Sequence, residues 1–287
     1  MALKLMFITN EENIAKIAEN SGVNWIFLDL EIIGKEDRQG HLDTVISHHC
    51  IEDVKEIKAS LSKSQLLVRV NPIYEGSKYE INRVIEDGAE IVMLPFFKSS
   101  KEVETFVKYV AGRAKVCLLV ETPEAVKDID SILAVNGIDY VHIGLNDLHL
   151  GYGMKFMFEL LADGTVEMIC NKINAKGIPY GFGGIAQIGK GDLPAEYIIA
   201  EHYRLGSTMA ILSRSFLNTK NVSSIKEIEE VFYKGVKEIR DYEIQLDHKD
   251  KEFFERNKKV SDYKILAIKN RKVDAHEKVI DSRELLM

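Results

Sequence analysis

Eight short apolar runs, separated by stretches of a different periodicity, limit what this chain can become. They are Leu3–Ile8, Trp25–Leu30, Leu66–Val70, Ile91–Leu94, Val116–Val120, Tyr140–Ile143, Pro179–Phe182 and Tyr203–Leu212. Most are continuously apolar rather than alternating, as parallel strands covered on both faces must be. Between them, NEENIAKIAENSG and SKYEINRVIEDGAE carry apolar residues every three or four positions and close on a Gly, the pattern of a capped amphipathic helix. SSKEVETFVKYVAGRA opens on a Ser suited to an N-cap. Strands alternating with helices build either a closed barrel or an open doubly wound sheet. No GxGxxG follows the first strand, which removes the main signature of a dinucleotide-binding sheet. The expectation is an α/β chain, a (β/α)8 TIM barrel over residues 1–217 with a helical extension over 218–287.

Composition agrees with a large soluble core. The chain has 287 residues, 46% of them hydrophobic, and barrels of about 250 residues are common as one unit. A net charge of −7 gives no basic footprint for nucleic acid. An anionic substrate therefore needs a local cation, a metal or an Arg. Cys50, Cys117 and Cys170 form no CxxC pair, so neither a disulfide framework nor a zinc site is expected. LKLMFI near the start is too short for a signal sequence, and no segment reaches about 18 uninterrupted apolar residues. A cytoplasmic protein with no membrane partner is expected.

From Asn218 the character changes. Ile225, Ile228, Phe232, Val236, Ile239, Tyr242 and Leu246 step by three or four and mark an amphipathic helix of about two dozen residues. A charged stretch and a final mixed segment follow. Two readings stand side by side: a solvated helix with a partly ordered tail, or an arm that packs on a neighbouring subunit of a homo-oligomer.

In a β/α-barrel the chemistry sits at the C-terminal ends of the strands. Polar residues that end apolar runs are therefore the first candidates: Asp29 and Glu31, Arg69 and Asn71, Glu121 and Thr122, Asn146 and Asp147. Glu121 follows CLLV directly, and a carboxylate there must be paired, protonated or bound to a cation. Asp147 comes one β/α repeat later, so both can point into one mouth. Two oxygen ligands completed by water and substrate suit Mg2+, Mn2+ or another divalent cation. The plainer alternative pairs Glu121 with Arg69 and makes Asp147 a helix cap. In IGLNDLHLGYG, Gly144, Asn146 and Asp147 place backbone N–H groups where a carboxylate can dock, although the same residues also describe an ordinary turn.

Taken in order, LLVRVN, EDGAEIVMLPFFKSSKEVE and VCLLVETPEAVKDIDSILAVNGIDYVHIGLNDLHLGYG resemble the HpcH/HpaI aldolase and citrate lyase β-subunit family. The likeness runs from about Leu3 to Phe216 and is most specific from Arg69 to Gly153. It implies a barrel holding Mg2+ or a similar ion on Glu121 and Asp147. It further implies that Arg69 contacts a 2-oxo acid and stabilises its enolate, with backbone amides of the Gly144–Asp147 turn on the substrate carboxylate. One departure stands out. The aldolase branch carries Asp-x-Glu-His after strand two, and this chain reads Asp29-Leu30-Glu31-Ile32, without the His. The citrate lyase-like branch reads Asp-Leu-Glu-Asp and fails only at Ile32.

The loop that follows contains Lys35, Asp37, Arg38, His41, His48 and His49. His41 is one candidate for a substitute base, since imidazole titrates near neutrality, and a metal-bound water is the other; the competing reading of His41 is a surface or helix-start residue. His48 and His49 are expected on the next helix in structural roles. Gly181, Gly183 and Gly184 allow backbone to approach a ligand closely, without the Lys and Ser/Thr of a nucleotide loop. Glu201, His202 and Arg204 are rim candidates for a salt bridge.

The resemblance implies a metal-dependent carbon–carbon lyase acting through an enolate of pyruvate or a relative. The alternatives are an acyl-CoA lyase or thioesterase on the same platform, or a barrel that binds a 2-oxo acid without turning it over. A trimer or hexamer is the expected assembly.

Overall fold

The computed structural model describes residues 2–35, 49–213, 216–217 and 224–284, from 274 onward as backbone only. Eight strands, β1 (Lys4–Ile8), β2 (Trp25–Asp29), β3 (Gln65–Arg69), β4 (Ile91–Leu94), β5 (Lys115–Val120), β6 (Tyr140–Ile143), β7 (Tyr180–Ile185) and β8 (Met209–Leu212), follow one another around a closed barrel. All neighbours are parallel, and β8 returns to pair with β1. Outside lie α1 (Glu12–Asn20), α2 (Asp53–Ser60), α3 (Ser77–Glu86), α4 (Ser100–Val110), α5 (Pro123–Lys127), α6 (Ile129–Ile132), α7 (Leu145–Gly151), α8 (Glu159–Ala162), α9 (Thr165–Ala175) and α10 (Ala195–Leu205).

The strands are apolar throughout because each has two buried faces. Leu28, Val68, Val92 and Leu118 meet the helices, whereas Phe27, Leu67, Met93, Cys117 and Leu119 fill the barrel. Side chains alternate, so the next inward positions after this packed floor are fixed by parity. They are Asp29 after Phe27, Arg69 after Leu67, Glu121 after Leu119 and Gly144 after His142. The strand pattern that makes the core thus delivers these residues to the inner C-terminal rim.

Two strands differ from the sequence reading by more than a one-residue shift. Tyr203–Leu205 belong to α10, not to strand eight, which begins only at Met209. The apolar run crosses Gly206, which adopts φ 72 and ends the helix in the left-handed region that glycine tolerates. Strand seven starts one residue late and continues through its glycines to Ile185, with an irregularity between Gly181 and Gly184. A Cβ on Gly181 would lie 2.1 Å from the Met209 carbonyl oxygen. This glycine therefore serves the approach of β8, not of a ligand.

After the barrel, α11 (Ile225–Leu246) and α12 (Lys251–Glu284) pack on the same chain. A capping box of Ser224 and Glu227 starts α11. Phe232 sits edge-on to Phe7 at 4.8 Å, and Glu243 accepts the Leu3 N–H at 2.7 Å. α12 runs along α10 and α8 with Ile265 and Ile268 buried, and Lys269 pairs with Glu159 at 2.7 Å. Among the described residues, no helix is long and apolar enough to cross a membrane.

Candidate active site

Arg69 ends β3 and is gripped by Asp29 at the end of β2. Arg69 Nε donates to Oδ1 and Nη2 to Oδ2, each at 2.8 Å. This fork-to-fork geometry fixes the guanidinium plane. Its face lies 5.5 Å over the Phe27 ring, and Nη1 points towards Glu31 Oε2 at 3.4 Å. Burial pushes the Asp29 carboxyl upward, but Arg69 and then Lys35 outweigh it and hold Asp29 far below the usual carboxylate range. The pairing of Glu121 with Arg69 weighed from sequence is thus replaced by Asp29 and Glu31 as the ion-pair partners of Arg69.

Glu121 stands immediately after β5 and is 3% exposed. Its Oε1 accepts the Phe96 backbone N–H at 3.1 Å. Phe96 takes φ 48, a left-handed conformation unusual for a bulky side chain, and this turns its N–H toward the carboxylate. Nothing in the identity of Phe96 signals the role, because the contact is made by the backbone. Burial lifts the Glu121 carboxyl well above its ordinary range, and the nearby Glu31 and Asp147 charges lift it further; Arg69 and the Phe96 N–H pull the other way. Thr122 next door accepts from Ala125 N–H and starts α5, with Pro123 at its first turn.

Asp147 lies in the first turn of α7 and is buried. Asn146 and Leu145 occupy the same turn, whose N–H groups have no acceptor within the helix. Gly144 links β6 to this turn. A Cβ there would fall 2.6 Å from Glu121 Oε2, so glycine is what allows the two strand ends to close on each other. Glu121 and Asp147 line one cavity of about 470 Å³ together with Phe96, Lys98 and Thr122.

Among the described residues, the buried carboxylates Asp29, Glu31, Glu121 and Asp147 share this mouth with the cations Arg69 and Lys35. Fully ionised, these groups sum to two negative charges, and Glu121 is raised first by its burial and then by the Glu31 and Asp147 charges. A divalent cation matches that sum in charge, and the all-oxygen donor set suits Mg2+ or Mn2+. Among the described residues, no three His, Cys, Asp or Glu side chains converge as a ready-made metal cage. An ion on Glu121 and Asp147 would draw its remaining ligands from water and substrate.

Two further features, both side chains, escaped the sequence reading. Lys35, noted there only as part of a polar loop, is 4% exposed and lies 2.6 Å from Asp29 Oδ2. His142 faces into the barrel beneath the site, with Nε2 3.1 Å from the Gly183 carbonyl oxygen. A carbonyl only accepts, so Nε2 carries the proton. Burial lowers this imidazole to about 4.

His41 and His48 lie outside the described residues. His49 precedes α2, and its Nδ1 accepts the Asp29 N–H at 3.0 Å, so its neutral ring keeps its proton on Nε2. Glu201 and Arg204 are on α10, where Arg204 binds Glu201 and Glu167 of α9 among the outer helices. They are not at the rim, because the segment that carries them is helix. His202 is buried and stacked on Phe182 at 3.9 Å.

Comparison with known proteins bears on the same region. The profile of the HpcH/HpaI aldolase/citrate lyase family matches residues 4–161. A hydroxypyruvate/pyruvate aldolase of Roseobacter denitrificans is 25% identical over 208 residues, 58% of this chain and 73% of that protein. A hydroxypyruvate/pyruvate aldolase of Agrobacterium fabrum is 28% identical over 196 residues, 57% of this chain and 67% of the relative. In three dimensions the barrel resembles the crystal structure of an HpcH/HpaI aldolase from Desulfitobacterium hafniense. The TM-score is 0.58 at 18% identity, covering 84% of this chain and 93% of the other. At that identity the likeness speaks to the fold.

Proposed function

This chain belongs to the HpcH/HpaI aldolase/citrate lyase family, and we propose that its barrel mouth makes and breaks the carbon–carbon bond at C3 of pyruvate or a close relative. It is a carbon–carbon lyase, an aldolase acting on a 2-oxo acid. The observation that carries the site assignment is that two buried carboxylates, Glu121 and Asp147, line one cavity within electrostatic reach of the Arg69 guanidinium.

In this reading Glu121 and Asp147 hold Mg2+ or Mn2+. When bound, the ion supplies Lewis acidity to the 2-oxo group. Arg69 then faces the oxygen on which negative charge grows as the enolate forms. Asp29 keeps the guanidinium plane fixed, so no reorientation is needed as that charge develops. The first-turn N–H groups of Leu145 and Asn146 orient the substrate carboxylate. Phe27 and His142 close the floor and exclude water from below. His49 has its lone pair committed to the Asp29 N–H, which removes it as a base in this arrangement.

The test is deuterium exchange at C3 of pyruvate in heavy water, followed by aldol formation with a panel of aldehydes. Exchange that requires Mg2+ or Mn2+ and disappears in Glu121→Gln is the expected outcome. Tight pyruvate binding with neither exchange nor aldol product would make this a non-catalytic 2-oxo acid-binding barrel.

A further inference from the structure

We propose that Lys35 is a positioning residue of this site: its buried ammonium shares Asp29 with Arg69, leaving guanidinium charge available to the substrate and limiting the negative surplus that a divalent cation meets. The hydrogen bonds on Asp29 show the sharing. Oδ1 accepts from Arg69 Nε at 2.8 Å and from the Glu31 N–H at 3.2 Å. Oδ2 accepts from Arg69 Nη2 at 2.8 Å and from Lys35 Nζ at 2.6 Å. The carboxylate that would otherwise be compensated by Arg69 alone is thus divided between two cations. Lys35 Nζ also lies 4.0 Å from Glu31 Oε2, the atom that Arg69 Nη1 approaches at 3.4 Å.

A lysine with its side chain 5% exposed gives up most of the hydration of its ammonium. A simple anchor for the chain after β2 does not need that, since an apolar side chain would fill the space without the desolvation. The charge count explains it. With Lys35, the four described carboxylates and Arg69 sum to two negative charges, equal and opposite to a divalent ion. Without Lys35 they sum to three, and Asp29 falls wholly to Arg69. Loss of Lys35 should therefore tighten cation binding while it weakens the stabilisation of the enolate. A residue that merely supports the fold would loosen both.

The test is Lys35→Met, which keeps length and removes charge, with Lys35→Arg as the conservative rescue. Apo protein is titrated with Mn2+ in a calorimeter, and kcat and KM for the 2-oxo acid are measured on metal-loaded protein. Lys35→Met is expected to bind Mn2+ roughly tenfold more tightly, because one nearby positive charge no longer repels the ion. Its kcat should fall by ~10-fold or more as Arg69 is over-neutralised, and Lys35→Arg should return both values towards wild type. Unchanged or weaker Mn2+ binding in Lys35→Met overturns the proposal. If Lys35→Met does not fold by circular dichroism, Lys35→Gln is measured against the same expectations. The kcat arm rests on the aldolase reading above, but the Mn2+ arm does not. Tighter Mn2+ binding in a protein without lyase activity would refute that reading and keep the charge role of Lys35.

Discussion

Replacing Gly144 by Ala tests the site at the point where backbone and metal chemistry meet. Gly144 has φ −83 and ψ 89, so alanine introduces no left-handed strain there. The whole effect is steric. The new Cβ would lie 2.6 Å from Glu121 Oε2, 2.8 Å from Glu121 Cβ and 3.2 Å from Leu119 Cδ1. Contacts below 3 Å to Glu121 force that side chain or the β6–α7 turn to move by several tenths of an ångström. Glu121 is only 3% exposed and tied to the Phe96 N–H, and Leu119 belongs to the packed floor. Overpacking of this kind costs about 1–3 kcal/mol, which lowers the melting temperature by roughly 2–10 °C for a chain of this size. A displaced ligand should weaken Mn2+ binding by ~10–100-fold, and kcat should fall by about 10²-fold through misplacement of the reacting groups. Calorimetry, steady-state kinetics and thermal melting of Gly144→Ala read all three. A folded variant with wild-type Mn2+ affinity and kcat would refute the steric reasoning and the placement of Glu121 at the metal.

Three further outcomes follow from the same geometry. Glu121→Gln removes one charge from a repulsive cluster, so the apo protein should melt higher than wild type while calorimetry detects no Mn2+ binding; retained binding would move the site elsewhere. Arg69→Lys keeps the charge but loses the fork on Asp29, and kcat should drop by ~10²–10³-fold with the fold intact; near-normal kinetics would reduce Arg69 to a structural role. Stability should fall on acidification through the buried histidines: burial holds His142 at about 4 and His202 at about 3, against an ordinary value of 6.5. In the folded state both stay neutral at pH 5, so only the unfolded chain takes up their protons as pH drops through 6.5. The loss begins there, reaches about 4 kcal/mol by pH 5 for the pair, and levels off only below the folded values. Melting curves of Glu121→Gln between pH 7 and 5 measure it without the opposing contribution of Glu121, whose raised carboxyl favours the folded state as pH falls. A flat profile would contradict it.

How much of this was legible before folding depends on the distance over which each feature is decided. The eight apolar runs and their alternation with amphipathic stretches are local, and a parallel strand buried on both faces announces itself in any window of five residues. Parity then carries Asp29, Arg69 and Glu121 to the rim, because each follows an inward residue two positions earlier. Strand eight was blurred where apolar residues of α10 run through Gly206 into β8, since hydrophobicity does not distinguish a buried helix end from a strand.

The partners of these rim residues were not legible. Arg69 sits on β3 between the carboxylate ends of β2 and the more distant Glu121, and only the closure and tilt of the barrel choose Asp29. Lys35 reads as a loop lysine until the chain after β2 folds back over its own strand end. Phe96 contributes a backbone N–H through φ 48, and a backbone torsion leaves no trace in residue identity. The same holds for Gly144, whose missing Cβ matters only because Glu121 of the neighbouring strand lies 2.6 Å from where it would be. Sequence alone thus determined which strand-end side chains reach the mouth of the barrel, because alternation along a strand is a local rule. Tertiary structure decided which of them pair and which carboxylates crowd together, because those energies depend on separations of a few ångströms between strands distant in the chain.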